Sequence, residues 1–287
     1  MPLSTSIVGQ ATAPIEHAVD ARWVMAYAAA LSDLNPRMMD TTAATPVIAH
    51  PVFPVCVEWP VVLAAGRLPG SERATRAEAA RGVHAAHDLH IHRPIRAGDR
   101  LATVGEVVGL AAIKPGAAQT TRLTTRDADG EVVCVTWQLG ISRAVAIEGE
   151  PRSTATAPPM PGDEGTEPCD IVLPLAVPPG MAHVYTECAR IWNPIHSDRA
   201  VALAAGLPDI ILHGTATLAL AVSSIVNHVL EGDIARVCRL GGRFSAMVPV
   251  PDTLQLEILR RGPDGVRYQV RNGAGEVAIS QGFLCWR

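Results

Sequence analysis

The sequence predicts an α+β fold in two similar halves, each an antiparallel sheet wrapped around one central helix. Three short motifs recur in the same order at nearly constant spacing, which indicates an internal repeat. A segment rich in proline, glycine and acidic residues separates the two copies, and in each copy an apolar helical pattern precedes strand-like segments. One helix packed on one sheet is a layer arrangement of the α+β class. The repeated motifs are Asn-Pro (35–36 and 193–194), Asp-x-Leu (99–101 and 252–254) and Gly-Glu-Val (130–132 and 275–277).

Composition limits the classes to which the chain can belong. Its 287 residues are 48% hydrophobic, which is ample core material for two domains. The formal net charge of −4 argues against binding nucleic acid or an anionic membrane surface, because both need clustered Lys and Arg. No apolar run approaches the roughly 18 residues of a membrane-spanning helix.

The beginning of the chain and its cysteines indicate where the protein is located. Residues 1–10 lack the basic and apolar regions of a secretory signal. The six cysteines are scattered, with no Cys-x-x-Cys pair, which fits reduced thiols. We therefore expect a cytoplasmic protein with no membrane partner.

The separating segment divides the chain into domains. Residues 148–168 contain little that can pack, so they are interpreted as a linker. The first predicted domain is then 1–147, and the second is 169–287.

The elements of the first half follow from periodicity and turn signals. A short helix is predicted over 21–32, and after the Asn-Pro loop an apolar helix over about 54–66. Strands over 120–126 and 132–141 flank the turn 127–130, whose last residue is a glycine suited to positive φ.

The second half repeats this plan. A helix is predicted over 181–190, and a second, over about 214–230, is apolar on nearly all sides, as in a buried core helix. Strands are predicted to follow over 254–260, 266–271 and 277–286.

The second Asn-Pro motif belongs to a longer, familiar pattern. It lies in 192–198 (Trp-Asn-Pro-Ile-His-Ser-Asp), followed by Ala-Ala-Gly-Leu at 204–207 and Ile-Leu-His-Gly at 211–214. These residues resemble the MaoC-like (hydratase 2) family of hotdog-fold proteins, and 92–99 (His-Arg-Pro-Ile-Arg-Ala-Gly-Asp) resembles a strand typical of that family. The resemblance covers nearly the whole chain and implies two fused hotdog domains, a double hotdog. It also implies (R)-specific hydration of 2-enoyl thioesters, or the reverse dehydration of 3-hydroxyacyl thioesters, carried on CoA or acyl carrier protein.

The two copies of the family motif differ. The pattern is Asp-x-Asn-Pro-x-His, in which the Asp and His hold and activate a water. The second copy keeps Asn193 and His196 but has Ile191 at the Asp position. The first copy keeps Asp33 but has Met38 at the His position. The resemblance therefore implies that any working site centres on His196.

The chemistry assigns roles to the second copy. Hydration needs a base, an acid and a donor to the thioester oxygen. His196 suits the base, since its ordinary pKa is ~6.5, and Asn193 can orient it. Gly214 suits the donor, because free N–H groups begin a helix there.

Four further residues are predicted to bind substrate. They are His213, which alternatively only caps a helix, Ile191, Trp192 and Arg243. Arg243, with Arg236 and Arg239, either lines a groove for CoA phosphates or lies on a solvated strand face.

Three alternatives remain open for the acid that Ile191 does not supply. Glu58 lies in the apolar helix of the first half and resembles the central-helix carboxylate of related hotdog dehydratases, which faces a His from the partner domain. It would then act with His196 across the domain interface, with a raised pKa; alternatively it lies at a helix end in solvent. Asp33 either acts in a separate degenerate site or reaches across, or it only makes a turn before Asn-Pro. The third alternative is that no acid is needed, or that none is present because the chemistry has changed.

No cofactor is expected, because neither Gly-x-Gly-x-x-Gly nor a P-loop occurs. Among four clustered histidines, two (His90 and His92) would share a strand face, but no Cys or paired acid completes a metal site, so none is expected. The alternatives to a hydratase are thioester hydrolysis and non-catalytic acyl-CoA binding. Both a monomer with an internal pseudo-dimer and a homodimer are compatible with two fused hotdogs.

Overall fold

The computed structural model describes residues 2–70 and 81–287. The helices are α1 (Ala21–Ala30), α2 (Pro36–Met39), α3 (Pro54–Ala65), α4 (Met181–Ala189), α5 (Arg199–Ala204) and α6 (Gly214–Val229). The strands are β1 (Leu3–Ser4), β2 (Ile15–Ala18), β3 (Gly82–Ile91), β4 (Arg100–Ile113), β5 (Gly116–Arg126), β6 (Val132–Arg143), β7 (Ile147–Glu148), β8 (Arg152–Ser153), β9 (Glu167–Val177), β10 (Val237–Phe244), β11 (Asp252–Arg261), β12 (Gly265–Arg271) and β13 (Val277–Trp286). Each helix and strand predicted from periodicity is present, and its ends lie within about four residues of the prediction.

The sheet has the same strand order in both halves. One continuous sheet runs β2-β4-β5-β6-β3-β10-β13-β12-β11-β9. Read inward from one edge, the first half has the order β2-β4-β5-β6-β3. Read inward from the other edge, the second half has the equivalent order β9-β11-β12-β13-β10. The halves are therefore related by a two-fold axis between β3 and β10. The α+β prediction, with one antiparallel sheet around one central helix in each half, is confirmed.

The two halves join along the antiparallel pair β3 and β10. Leu240 pairs with Leu89, and Gly241 pairs with Asp88. The Asp88 carboxylate accepts hydrogen bonds of 2.9 and 2.8 Å from the Arg239 guanidinium, so an ion pair crosses this seam. A second contact lies where α1 meets α4, because the hydroxyls of Tyr27 and Tyr185 are 3.2 Å apart.

The central helices α3 and α6 are buried because their apolar residues point in several directions. Val57 and Val61 of α3 are fully buried, as are Leu218 and Val222 of α6. Gly105 of β4 permits the close approach of α3, since a Cβ there would lie 2.8 Å from the Val61 side chain. A helix that is apolar all round requires protein on nearly every side, and the curved sheet provides it.

The predicted strand at 92–99 is wrong. These residues form a loop between β3 and β4, with a single bridge from Arg96 to Ile48. Pro94 has no N–H to donate to a ladder, and Gly98 has a φ of +101°, outside the strand region. Arg93 instead pairs with the carboxylates of Asp99 and Asp127 at 2.8 and 3.0 Å, which fixes the loop.

The predicted linker is partly held against both halves. The short strand β8 lies within 148–168 and pairs with Gly109 and Leu110 of β4. The backbone carbonyl of Pro159 accepts a hydrogen bond of 2.9 Å from Arg239. In both contacts the linker uses backbone groups, which a segment of any composition possesses. Across the residues that the structure describes, no helix is long and apolar enough to cross a membrane.

Candidate active site

A cavity of about 270 Å³ lies between the two halves, near their common seam. The first half contributes α3 and the ends of β3 and β6 to its wall. The second half contributes four residues of the Asn-Pro loop (191, 193, 195 and 196), the beginning of α6, and residues 244–248 at the end of β10 and after it. Neither half could form this cavity alone.

His196 lies in the 3-10 turn that follows Asn193, and only 9% of it is exposed. Its Nδ1 is 2.8 Å from the carbonyl of Ile211, which can only accept, so Nδ1 carries the proton and donates it. Nε2 is then the unprotonated nitrogen. Burial lowers the pKa of His196 to about 4, although the bond to Ile211 acts in the opposite direction. The side chain is therefore a neutral acceptor at neutral pH.

His213 stacks on His196, with ring centroids 3.7 Å apart and planes inclined by 27°. Burial, together with His196 beside it, lowers the pKa of His213 well below its ordinary range. His213 occupies the N-cap position of α6, but its side chain makes no capping hydrogen bond. It therefore forms part of the cavity wall instead of capping the helix.

Gly214 is the first residue of α6 and lines the cavity. The first helical hydrogen bonds run from the N–H groups of Ala216 and Thr217 to the carbonyl of His213. The N–H groups of Gly214 and Thr215 precede these bonds, so they have no acceptor within the helix. A helix N-terminus with free N–H groups favours negative charge on a nearby oxygen.

Glu58 lies in α3 and lines the same cavity as His196. Only 2% of it is exposed, so the alternative of a solvated helix end does not apply. The hydroxyl of Thr136 on β6 donates a hydrogen bond of 2.5 Å to its Oε1. Burial raises the pKa of Glu58 to about 7, and this hydrogen bond acts the other way. The carboxyl group therefore exchanges a proton near neutral pH.

The two Asn-Pro motifs differ in what the Asn side chain does. Asn35 accepts the N–H of Arg37 at 2.9 Å and donates to the carbonyl of Gly232 at 2.7 Å, so it holds structure. Asn193 lines the cavity, and its side chain has no hydrogen-bond partner among the described residues. Its amide is available to a ligand or a water.

Asp33 does not line the cavity. It is buried, its Oδ1 accepts the N–H of Asn35 at 3.3 Å, and its Oδ2 has no partner in the described part of the chain. Its surroundings are the first-half counterpart of the site, where His50 takes the place of His213. Val52 N–H donates to His50 Nδ1 at 3.0 Å, and His50 Nε2–H donates to Ser223 of α6 at 3.0 Å. The space beside His50 is about 10 Å³, about enough for a single water.

Of the other residues predicted to bind substrate, one lines the cavity and two lie on the protein surface. Ile191 is 5% exposed and lines the cavity, where it presents an apolar side chain at the family's Asp position. Trp192 is 60% exposed, donates to Glu187 at 3.3 Å and does not line the cavity. Arg243 is exposed on β10 and also lies outside the cavity wall. Adjacent residues such as Ile191 and Trp192 point to opposite sides of the chain, and the spacing of residues in the sequence did not predict which of them faces the cavity.

Four polar residues that β3 and β6 contribute to the cavity wall were not predicted as site residues: His84, His87, Gln138 and Arg143. His84 and His87 belong to the histidine-rich stretch, whose sequence suggests no function other than a metal site. His90 of that stretch instead lies 3.2 Å from the Asp88 carboxylate, and His92 lies beyond the end of β3. A signal was present in the sequence, but the face on which each histidine lies depends on the local strand geometry.

Two family models match the chain, one in each half. The model of the MaoC like domain matches residues 164–282. The model of the FAS1-like dehydratase domain region matches residues 6–136. An enoyl-CoA hydratase of Mycobacterium tuberculosis is 24% identical over 233 residues, which cover 81% of this chain and 75% of that protein. The peroxisomal enoyl-CoA hydratase 2 of Arabidopsis thaliana is 27% identical over 214 residues, which cover 70% of this chain and 67% of that protein.

Solved structures agree with the observed fold. A MaoC-like dehydratase from Phytophthora capsici has a TM-score of 0.81 at 20% identity, over 98% of this chain and 96% of that one. A Mycobacterium tuberculosis protein described as a double hotdog has a TM-score of 0.66 at 17% identity, over 97% of this chain and 95% of that one. The prediction of two fused hotdog domains is confirmed.

Proposed function

Because this chain belongs to the MaoC-like family of hydratases and dehydratases, we propose that it hydrates a 2-enoyl thioester, or dehydrates the corresponding 3-hydroxyacyl thioester. The acyl group would be carried on CoA or on an acyl carrier protein. His196 acts as the base and Glu58 as the acid of the hydration. No metal or cofactor enters this proposal.

One observation carries the proposal: Glu58 and His196 come from different halves and line the same cavity. Both are buried, and each is in the protonation state that its role requires. His196 has an unprotonated Nε2, and Glu58 still holds its proton near neutral pH. A pair of titratable groups whose pKa values are pushed apart by their surroundings is typical of acid–base catalysis.

The steps of hydration use these groups in turn. The water oxygen bonds to Cβ of the enoyl group while His196 Nε2 takes one of its protons. The electrons of the double bond move toward the thioester, which becomes an enolate, and the N–H groups of Gly214 and Thr215 stabilise the charge on its oxygen. Cα then takes the proton of Glu58. Dehydration follows the same steps in reverse, from protonated His196 and ionised Glu58.

The test is hydration of crotonyl-CoA and of a longer, branched enoyl-CoA, followed by the loss of enone absorbance. We expect His196→Ala and Glu58→Gln each to lower kcat/KM at least ~100-fold, the scale of a lost acid or base. The matched controls are His228→Ala and Glu150→Gln, which are exposed and lie outside the cavity. Both controls should retain the activity of the unchanged protein.

Other outcomes assign other functions. If only His196→Ala loses activity, Glu58 is not the acid but the family reaction stands. If the unchanged protein releases free thiol from the thioesters, it is a hydrolase. If it does neither, yet thioesters raise its melting temperature, it binds acyl thioesters without turnover, and the apolar Ile191 at the family's Asp position accounts for the loss of chemistry.

A further inference from the structure

His87 is a buried imidazole of the cavity wall. It takes no part in the proposed reaction, and its ring makes no hydrogen bond that would stabilise the fold among the described residues. It is 2% exposed, and neither ring nitrogen has a hydrogen-bond partner among the described residues. Nearly all buried polar groups in proteins are paired, so an unpaired side chain on a cavity wall points to a ligand as its partner. Burial lowers the pKa of His87 to about 4, against the opposing charge of Asp88. The ring is therefore neutral and offers one donor and one acceptor.

The alternation of β3 places His87 on the same inward face as the buried Leu89 and Ile91, and an irregularity in the strand brings His84 to that face as well. In a regular strand, residues three apart lie on opposite faces. Here the pairing of β3 with β6 shifts between His84 and Ala86, so Ala85 is an extra residue, a β-bulge. His84 and His87 consequently face the same side, with ring centroids 5.3 Å apart, and both line the cavity. His84 is satisfied, because its Nε2 donates to the carbonyl of Ala86 at 3.1 Å.

A second polar side chain stands beside His87. Gln138 of β6 pairs directly with His87, so the two side chains are neighbours on one face of the sheet. Gln138 lines the cavity, and no hydrogen-bond partner of its amide is found in the described residues. Thr136, the partner of Glu58, is two residues earlier on β6 and on the same face. His87 and Gln138 thus lie roughly 7 Å along the strands from the position of the proposed acid.

We propose that His87 and Gln138 form a polar subsite that hydrogen-bonds an oxygen-bearing group of the substrate, such as a hydroxyl, ketone or amide, away from the reacting double bond. This proposal rests on the proposed function. Two parts of an acyl thioester carry such a group: an oxygenated acyl chain, or the amides of the pantetheine arm. A plain hydrocarbon chain at this position would leave both side chains unpaired.

The test measures binding, so that its result does not depend on turnover. The ligands are octanoyl-CoA, octanoyl-CoA analogues with one ketone at successive carbons, octanoyl-pantetheine and octanoyl-N-acetylcysteamine. The variants are His87→Leu, Gln138→Leu and His87→Gln, which keeps a donor and an acceptor. Dissociation constants come from calorimetry.

A selective loss supports the subsite and identifies its source. If the acyl chain supplies the oxygen, His87→Leu weakens one ketone analogue by about five- to tenfold, the scale of one buried hydrogen bond, and leaves octanoyl-CoA within twofold. If pantetheine supplies it, His87→Leu weakens octanoyl-CoA and octanoyl-pantetheine alike. Octanoyl-N-acetylcysteamine keeps the amide nearer the sulfur, so it is weakened too if that amide is bound and is unchanged if the farther amide is bound. In both cases His87→Gln recovers most of the affinity. Affinities within twofold for every ligand would overturn the proposal.

Thermal stability separates a binding role from a structural one. His87→Leu replaces an unpaired buried polar group with an apolar one, so the melting temperature of the free protein should stay level or rise. The matched contrast is His50→Leu, which removes an equally buried but fully paired imidazole and should lower it. A clear fall in His87→Leu with unchanged affinities would show a structural residue instead. A chain that binds the ketone analogue through His87 but turns over no enoyl thioester would contradict the proposed reaction and leave the subsite standing.

Discussion

Glu58 and His196 illustrate how one physical cause acts in opposite directions on an acid and a base. Burial disfavours the charged form of each side chain. It therefore raises the pKa of the carboxyl group to about 7 and lowers that of the imidazole to about 4. Between these values the pair holds one proton, on Glu58. This is the distribution that hydration needs, with no metal ion or third charged group required to produce it.

The pH dependence of the reaction follows from these two values. We expect kcat/KM for crotonyl-CoA to be bell-shaped, falling below pH about 4 as His196 takes a proton and above pH about 7 as Glu58 loses one. Dehydration uses the same total number of protons, so it should show the same two limbs. The residual activity of Glu58→Gln should lack the upper limb. An upper limb that survives in this variant would assign the proton to another group.

At the scale of elements, the pairing of β3 with β10 both joins the two halves and positions residues of the cavity wall. Arg239 of β10 and Asp88 of β3 are each less than a fifth exposed and tie the halves together. Burial pushes the pKa of Asp88 upward, but hydrogen bonds from His90 and Arg239 outweigh it and hold the pKa below its ordinary value. The residue before this carboxylate is His87, so the ion pair fixes the strand that presents the cavity wall.

Breaking this pair should destabilise the protein. Asp88→Asn leaves the Arg239 guanidinium half-satisfied in a poorly hydrated position, and we expect the free energy of unfolding to fall by about 1–3 kcal/mol. Chemical denaturation followed by circular dichroism measures it. The matched control is Asp209→Asn, whose pair with Arg199 is more than half exposed and should contribute less than about 1 kcal/mol. Equal effects at the two sites would mean that the seam is not held by this pair.

At the scale of the whole molecule, a duplicated fold carries one open site and one closed one. The strand order, the central helices and the bridges Ile48–Arg96 and Ile211–Pro249 are equivalent in the two halves. Around His213 a cavity of about 270 Å³ remains, whereas around His50 the space is about 10 Å³. Within the described residues, the halves therefore keep the same strand order and central helix, while the surroundings of His213 leave room for a substrate and those of His50 do not.

The burial of several neutral imidazoles makes the whole molecule sensitive to acid. Burial lowers the pKa of His50, His87 and His196 to about 4 and that of His84 to about 3, and it lowers the pKa of His213 well below its ordinary value. On unfolding, each returns to its ordinary value near 6.5 and takes up a proton at pH 5. Glu58 acts in the opposite direction. Because its pKa is raised in the folded protein, the folded state holds a proton on this carboxyl group that is released on unfolding, which reduces the net uptake by one proton.

The sign and size of the pH effect follow. Five imidazoles take up protons on unfolding and Glu58 releases one, so the net uptake is about four protons and the free energy of unfolding should fall by about 5 kcal/mol per pH unit as the pH drops from about 6 to about 5. Denaturation midpoints across this range measure it. In Glu58→Gln the opposing proton is removed, and the fall should become steeper. Midpoints that do not change over this range would show that these imidazoles are charged in the folded protein.

Much of the fold could be predicted because the deciding signals are local. The apolar runs of α3 and α6, the turn ending at Gly130 and the order of repeated motifs each depend on residues close together in sequence. The strand predicted at 92–99 failed because its residues were matched to a family pattern, while Pro94 and the ion pairs of Arg93 favour a loop.

The sequence by itself determined the duplication and the α+β class, and it predicted His196 as the centre of the site with Glu58 as one of three alternatives for the acid. Only the tertiary structure decided which copy of the site is open, that Trp192 and Arg243 lie outside it, and that a bulge at Ala85 brings His84 to the same face as His87. The physical reason is the range of the interactions. Helix and turn formation depend on neighbouring residues, whereas the volume and lining of a cavity depend on side chains that meet across the seam from positions more than a hundred residues apart.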